Sequence, residues 1–220
     1  MEQGRAFHTL EERIEAFRLS DVYPVITSEF CADRSPEQTA ESILRGGAKL
    51  LQIREKTMPD GSFLPLLKRV REMTRHYGAL LIVDDRVDAA IAAEADGVHL
   101  GQEDFPVPDA RRLSAELLIG VSTHNADEIR IAQAQGCSYL NIGPIFPTGT
   151  KQLACRFLGL ETLRALIPEV HVPFSVMGGI KFGHLEELLR SGARHIAAVT
   201  AFTQAEDPAA EVRRWRGMWQ

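Results

Sequence analysis

The sequence predicts a single closed (β/α)8 barrel, the TIM-barrel architecture, preceded by an extra N-terminal helix. Short Val/Ile/Leu-rich segments alternate with amphipathic ones about eight times along 220 residues, and strands of that kind joined through helices form a parallel sheet covered by helices. The length lies in the range of such barrels, which begins at about 200 residues. An open doubly wound sheet would carry a G-x-G-x-x-G turn after an early strand, and none is present.

Leu10, Ile14 and Phe17 recur at helical spacing among Glu and Arg, predicting an amphipathic helix over Thr9 to Ser20. Residues 1–21 are therefore read as a helical extension and 22–220 as the barrel domain. Val22 to Thr27 reads as the first strand. Ser35-Pro36-Glu37 then opens a helix with an N-cap hydroxyl and a proline in the first turn, and Gly46-Gly47 ends it. The rhythm continues with strand Leu50 to Glu55, helix Phe63 to His76, strand Leu80 to Asp84, helix Val87 to Glu94, strand Gly97 to Leu100 and a helical turn at Asp109 to Leu113. Strand Leu118 to Ser122 precedes a helix capped by Asn125 and ended by Gly136, and strand Tyr139 to Phe146 follows. Helix Leu160 to Leu166, strand Phe174 to Met177, helix His184 to Arg190, strand His195 to Thr200 and helix Ala209 to Trp215 complete the chain.

With 45% hydrophobic residues, the chain can bury one full core. A net charge of -5 argues against nucleic acid or an anionic membrane as partner, because both need a broad basic face. No segment approaches the roughly 20 apolar residues of a membrane span. Cys31, Cys137 and Cys155 lie far apart, with neither a C-x-x-C nor a metal-spaced His pair, so reduced thiols and a cytoplasmic location are expected.

A barrel places its chemistry where strands hand over to helices. Strand period puts Gln52, Arg54 and Lys56 on one face, with Leu51 and Ile53 against the outer helices, so an amide and two cations should converge on the mouth. They could hold a strongly anionic ligand, or Arg54 and Lys56 could pair with Glu55 or Asp85. Asp85 and Asp104 close two neighbouring strands, and carboxylates beside an anion site suit Mg²⁺ held with phosphate oxygens, although Asp85 could instead cap the next helix. Gly143-Pro144-Ile145-Phe146-Pro147-Thr148-Gly149-Thr150-Lys151 offers two hydroxyls, a flexible glycine and an ammonium that could surround an anion, with Lys151 beside Arg54 and Lys56. Gly178-Gly179-Ile180 and Thr200 end the last two strands, where many barrels bind phosphate. His124 is either a general base or a helix-start histidine.

Together QIREK at 52–56, DDRVD at 84–88, ADGVHLGQED at 95–104, GVSTH at 120–124, GPIFPTGTK at 143–151 and GGI at 178–180 resemble the thiamine phosphate synthase family, from about Tyr23 to Pro208. The resemblance implies condensation of hydroxymethylpyrimidine diphosphate with thiazole phosphate to thiamine phosphate and pyrophosphate. It implies that Gln52, Arg54, Lys56, Ser122 and Lys151 hold the pyrimidine diphosphate beside Asp84, with Arg54, Lys56, Ser122 and Lys151 catalytic. Asp85 and Asp104 would bind Mg²⁺. Thr148, Gly149 and Thr150 would contact the thiazole partner, whose phosphate would sit near Gly179, Val199 and Thr200. The partners implied are small phosphorylated molecules; a homodimer is compatible with the resemblance and not fixed by it. Asp84 stands where the family usually has Asn, which exchanges a donor for an acceptor-only carboxylate. Thr200 replaces a usual Ser, Met177 a frequent Ile, and residues 152–157 follow no interpretable pattern. Two rivals remain: a related TenI-type thiazole tautomerase using His124, and a non-catalytic barrel that binds thiazole phosphate or thiamine phosphate.

Overall fold

The computed structural model describes residues 7–148 and 157–219. Eight parallel strands close on one another in chain order: β1 (Val22–Ile26), β2 (Leu50–Ile53), β3 (Leu80–Asp84), β4 (Gly97–Leu100), β5 (Leu118–Thr123), β6 (Tyr139–Ile142), β7 (Phe174–Val176) and β8 (His195–Ala198). The expected barrel is thus observed. Its α-helices are α1 (Leu10–Arg18), α2 (Pro36–Arg45), α3 (Asp60–Tyr77), α4 (Val87–Ala92), α5 (Val107–Leu113), α6 (Ala126–Ala134), α7 (Gly159–Leu166), α8 (Leu185–Arg190), α9 (Thr200–Thr203) and α10 (Pro208–Arg216).

Alternation along each strand divides the apolar residues into two cores. Leu51, Ile53, Leu81, Val83, Val98 and Leu100 pack outward against the helices, whereas Tyr23, Leu50, Leu80, Ile82, Leu118 and Tyr139 fill the interior. Phe17 of α1 belongs to this inner core and is fully buried. The helix is held there by Arg13, whose Nη1 donates to Glu116 O at 2.6 Å, and by the Leu10 N–H, which donates to the Glu116 carboxylate at 2.5 Å. The capping box of Thr9 and Glu12 starts it. Beside it, fully buried Asp96 takes a bidentate bond from Arg71 at 2.5 and 2.8 Å and accepts the Leu81 N–H, so this charge has its partners.

β1 and β7 end one residue earlier than expected, and β2, β6 and β8 end earlier by two residues or more. β2 stops at Ile53, and the Arg54 N–H still reaches Ile26 O. β6 stops at Ile142 because Pro144 has no N–H; Ile145 and Phe146 instead donate to Met177 O and Gly178 O. β8 stops at Ala198, since Val199 leaves the extended region and starts α9 at Thr200, a helix not anticipated from the sequence. In the other direction, α3 begins at Asp60, three residues earlier than expected. Among the described residues, no helix is long and apolar enough to cross a membrane.

Candidate active site

The ends of β2 and β3 and the loops after β2, β3 and β4 bring Gln52, Arg54, Lys56, Asp84, Asp85 and Asp104 around a compartment of about 90 Å³. The β3–β4 register sets Asp84 beside His99. Asp84 Oδ2 lies 3.3 Å from Arg54 Nε and 3.4 Å from Lys56 Nζ, and Lys56 also hydrogen-bonds Asp85. Glu55 is engaged elsewhere, accepting from the Ser28 N–H at 2.7 Å, and the cations pair with Asp84, at the end of β3, and Asp85, just after it. Burial, reinforced by the Asp85 charge, pushes the Asp84 carboxyl up to about 6 against the pull of Lys56 and Arg54. Burial opposes the Lys56 charge, yet the Asp85 bond and both aspartates raise it on balance.

Asp85 adopts φ +58°, a left-handed conformation uncommon outside glycine. Its N–H donates to His99 O at 2.8 Å. It does not cap α4, whose N-cap residue is Arg86. Asp104 accepts the Gly101 N–H at 2.6 Å and stands near the Asp85 carboxylate. Burial first and the neighbouring Asp85 carboxyl second push the Asp104 carboxyl upward. These two neighbouring carboxylates present oxygens a divalent cation could take, and phosphate oxygens and water would complete its shell.

Ser122, Met177, Val199 and Phe30 border this compartment and also a larger cavity of about 630 Å³. Thr148, Gly178, Gly179 and Thr200 line the larger one, so the described residues expected at the two anion sites line two adjoining compartments. Gly179 has φ +61°, and a Cβ there would lie 2.2 Å from Pro147 O. Only glycine lets the two strand-end loops approach so closely. His124 lines the same cavity, with its Nδ1 2.7 Å from Glu128 Oε2. Gly149, Thr150 and Lys151 lie outside the described residues.

The sequence reading assigned no role to His99, Tyr139, Tyr23 or Phe30. The signal for His99 was present: it alternates with outward Val98 and Leu100 and therefore points inward. For Tyr139 the signal was a glycine on the neighbouring strand, since a Cβ on Gly120 would lie 2.1 Å from the Tyr139 ring.

The family model for thiamine monophosphate synthase matches residues 22–202. A thiamine-phosphate synthase of Moorella thermoacetica is 42% identical over 197 residues, covering 89% of this chain and 94% of that protein. One of Chloroflexus aurantiacus is 41% identical, covering 90% and 91%. The solved thiamine phosphate pyrophosphorylase of Pyrococcus furiosus superposes with a TM-score of 0.84 at 33% identity, covering 94% of this chain and 96% of that one. A 3-hexulose-6-phosphate synthase, at 19% identity and a TM-score of 0.67, shares the fold. With its barrel, its ordered motifs and relatives matched along nearly their whole length, this chain belongs to the thiamine monophosphate synthase family.

Proposed function

We propose that this enzyme joins hydroxymethylpyrimidine diphosphate to thiazole phosphate, releasing pyrophosphate. The observation that carries this reading is the pair of connected compartments, one lined by two cations and two metal-suited carboxylates, the other large enough for a second phosphorylated ring. Gln52, Arg54, Lys56 and Ser122 bind the pyrimidine diphosphate, joined by Lys151, while Thr148, Gly149, Thr150, Gly179, Val199 and Thr200 take the thiazole phosphate. Asp85 and Asp104 hold Mg²⁺, which when bound neutralises charge on the diphosphate.

The methylene C–O bond breaks with its electron pair leaving on pyrophosphate, and the thiazole nitrogen supplies the pair for the new C–N bond. Arg54, Lys56 and Lys151 stabilise the leaving group by charge-assisted hydrogen bonds, and no strong base is needed. Phe30 and Met177, at the junction of the compartments, keep water from the cationic carbon. Such an enzyme works in the cytoplasm, where phosphorylated intermediates are retained.

A second reading, a thiazole tautomerase, is favoured by the His124–Glu128 pair facing the larger cavity. Retention of Arg54, Lys56, Asp85 and Asp104 favours the synthase. The deciding experiment supplies both substrates with Mg²⁺ and follows thiamine phosphate and pyrophosphate, with an EDTA control. Metal-dependent formation of both products supports the synthase; proton exchange on the thiazole without condensation would transfer the assignment to His124.

A further inference from the structure

Five polar side chains form one hydrogen-bonded line through the barrel interior. Gln52 Nε2 donates to Tyr23 Oη at 2.9 Å, the Tyr23 and Tyr139 hydroxyls meet at 2.8 Å, Tyr139 Oη lies 3.0 Å from His99 Nδ1, and His99 Nε2 lies 2.8 Å from Ser122 Oγ. Gln52, Tyr23, Tyr139 and His99 are all buried, and Ser122 alone of the five borders both compartments.

Proton counting gives the line a direction. Burial drives both phenols well above their ordinary range, so each keeps its single proton. Tyr23 already accepts from Gln52, and among the described residues the acceptor its own O–H meets is the Tyr139 oxygen. Tyr139 therefore donates its O–H to His99 Nδ1, the ring proton of His99 then sits on Nε2, and Nε2–H donates to Ser122 Oγ. The reverse order would leave the buried Tyr23 hydroxyl without an acceptor, which buried polar groups avoid.

We propose that Tyr139, acting through His99, is a positioning residue that directs the Ser122 hydroxyl hydrogen toward the diphosphate oxygens of the smaller compartment. The inference rests on the diphosphate subsite proposed above. With its lone pair taken by His99, Ser122 has its hydrogen left for an anion, whereas a rotated His99 would draw that hydrogen inward. Phe17 holds the Tyr139 ring from below at a centroid distance of 4.3 Å, and Gly120 leaves it room.

The test uses wild type, Tyr139→Phe, Ser122→Ala and the double variant, each titrated with inorganic pyrophosphate in Mg²⁺ and assayed for KM and kcat. Tyr139→Phe keeps the ring and should weaken pyrophosphate and raise KM for the pyrimidine diphosphate about tenfold, the scale of one hydrogen bond to a charged group. KM for the thiazole phosphate should stay within about twofold, and in the Ser122→Ala background Tyr139→Phe should change pyrophosphate binding by less than about twofold. Equal losses in both backgrounds would mean a merely structural tyrosine and would overturn the proposal, as would an undiminished Tyr139→Phe enzyme or a wild type that does not bind pyrophosphate. Nitrogen-15 NMR of wild-type His99 should show the Nε2–H tautomer, and an Nδ1–H ring would overturn the proposal even if Tyr139→Phe fails to fold. A wild type that binds pyrophosphate but does not condense the two substrates would remove the proposed activity, while the binding titrations would still decide the role of Tyr139.

Discussion

Phe17 packs against Tyr139 with ring centroids 4.3 Å apart and planes inclined by 30°, which ties a helix lying ahead of the family match to the interior of the barrel. Its ring also lies 4.7 Å from that of His195 and meets Tyr23 edge-on, so the extension acts as the floor of the core. Phe17→Ala is expected to lower stability by about 3–5 kcal/mol, as for other fully buried aromatics. Urea unfolding measures this; a loss below about 1 kcal/mol would show that the barrel closes without α1.

Asp84 stands between Arg54 and Lys56 and competes for the groups that would bind phosphate. Asp84→Asn should leave turnover intact or raise it, with a lower KM for the diphosphate. The same residue predicts a pH dependence. Its folded-state pKa is raised from 3.8 to about 6, so its favourable contribution is complete below about pH 4 and is lost as pH rises through about 6. Between those limits Asp84→Asn should gain on wild type by up to about 3 kcal/mol. Denaturation at several pH values checks this, and a stability difference that does not vary with pH refutes it.

Arg54→Ala should reduce kcat by about 10²–10³, the scale for losing one preorganised donor to developing charge, with the fold retained because Arg54 lies beyond the end of β2. Arg54→Lys should restore little, since a point charge does not reproduce a planar fork. Steady-state kinetics with circular dichroism separate these outcomes; unchanged turnover in Arg54→Ala would remove Arg54 from the site.

Removing metal should abolish synthesis, and Asp104→Asn should weaken Mn²⁺ binding about 10-fold or more, read by electron paramagnetic resonance without substrate turnover. Undiminished Mn²⁺ affinity would place the metal elsewhere. Asp104→Asn also removes one of two neighbouring carboxylates, so its fold should be retained.

The eight-unit rhythm, the inward set Gln52 and Arg54, and the carboxylates at the ends of β3 and β4 were legible in the sequence, because strand period and Val/Ile/Leu composition are local properties. The order of the motifs likewise carried the family. Tertiary structure alone decided the partnerships. Lys56 meets Asp85, Asp84 joins both cations, and Phe17, Tyr139, His99 and Ser122 fall into one line, although they come from α1, β6, β4 and β5. Closing the sheet brings together residues as far apart as Val22 of β1 and Ile196 of β8, 174 positions (196 − 22), and no periodicity along the chain encodes such distances. The early ends of β6 and β8 have the same origin: a composition suited to strand continues, but Pro144 lacks a donor and Val199 turns into α9.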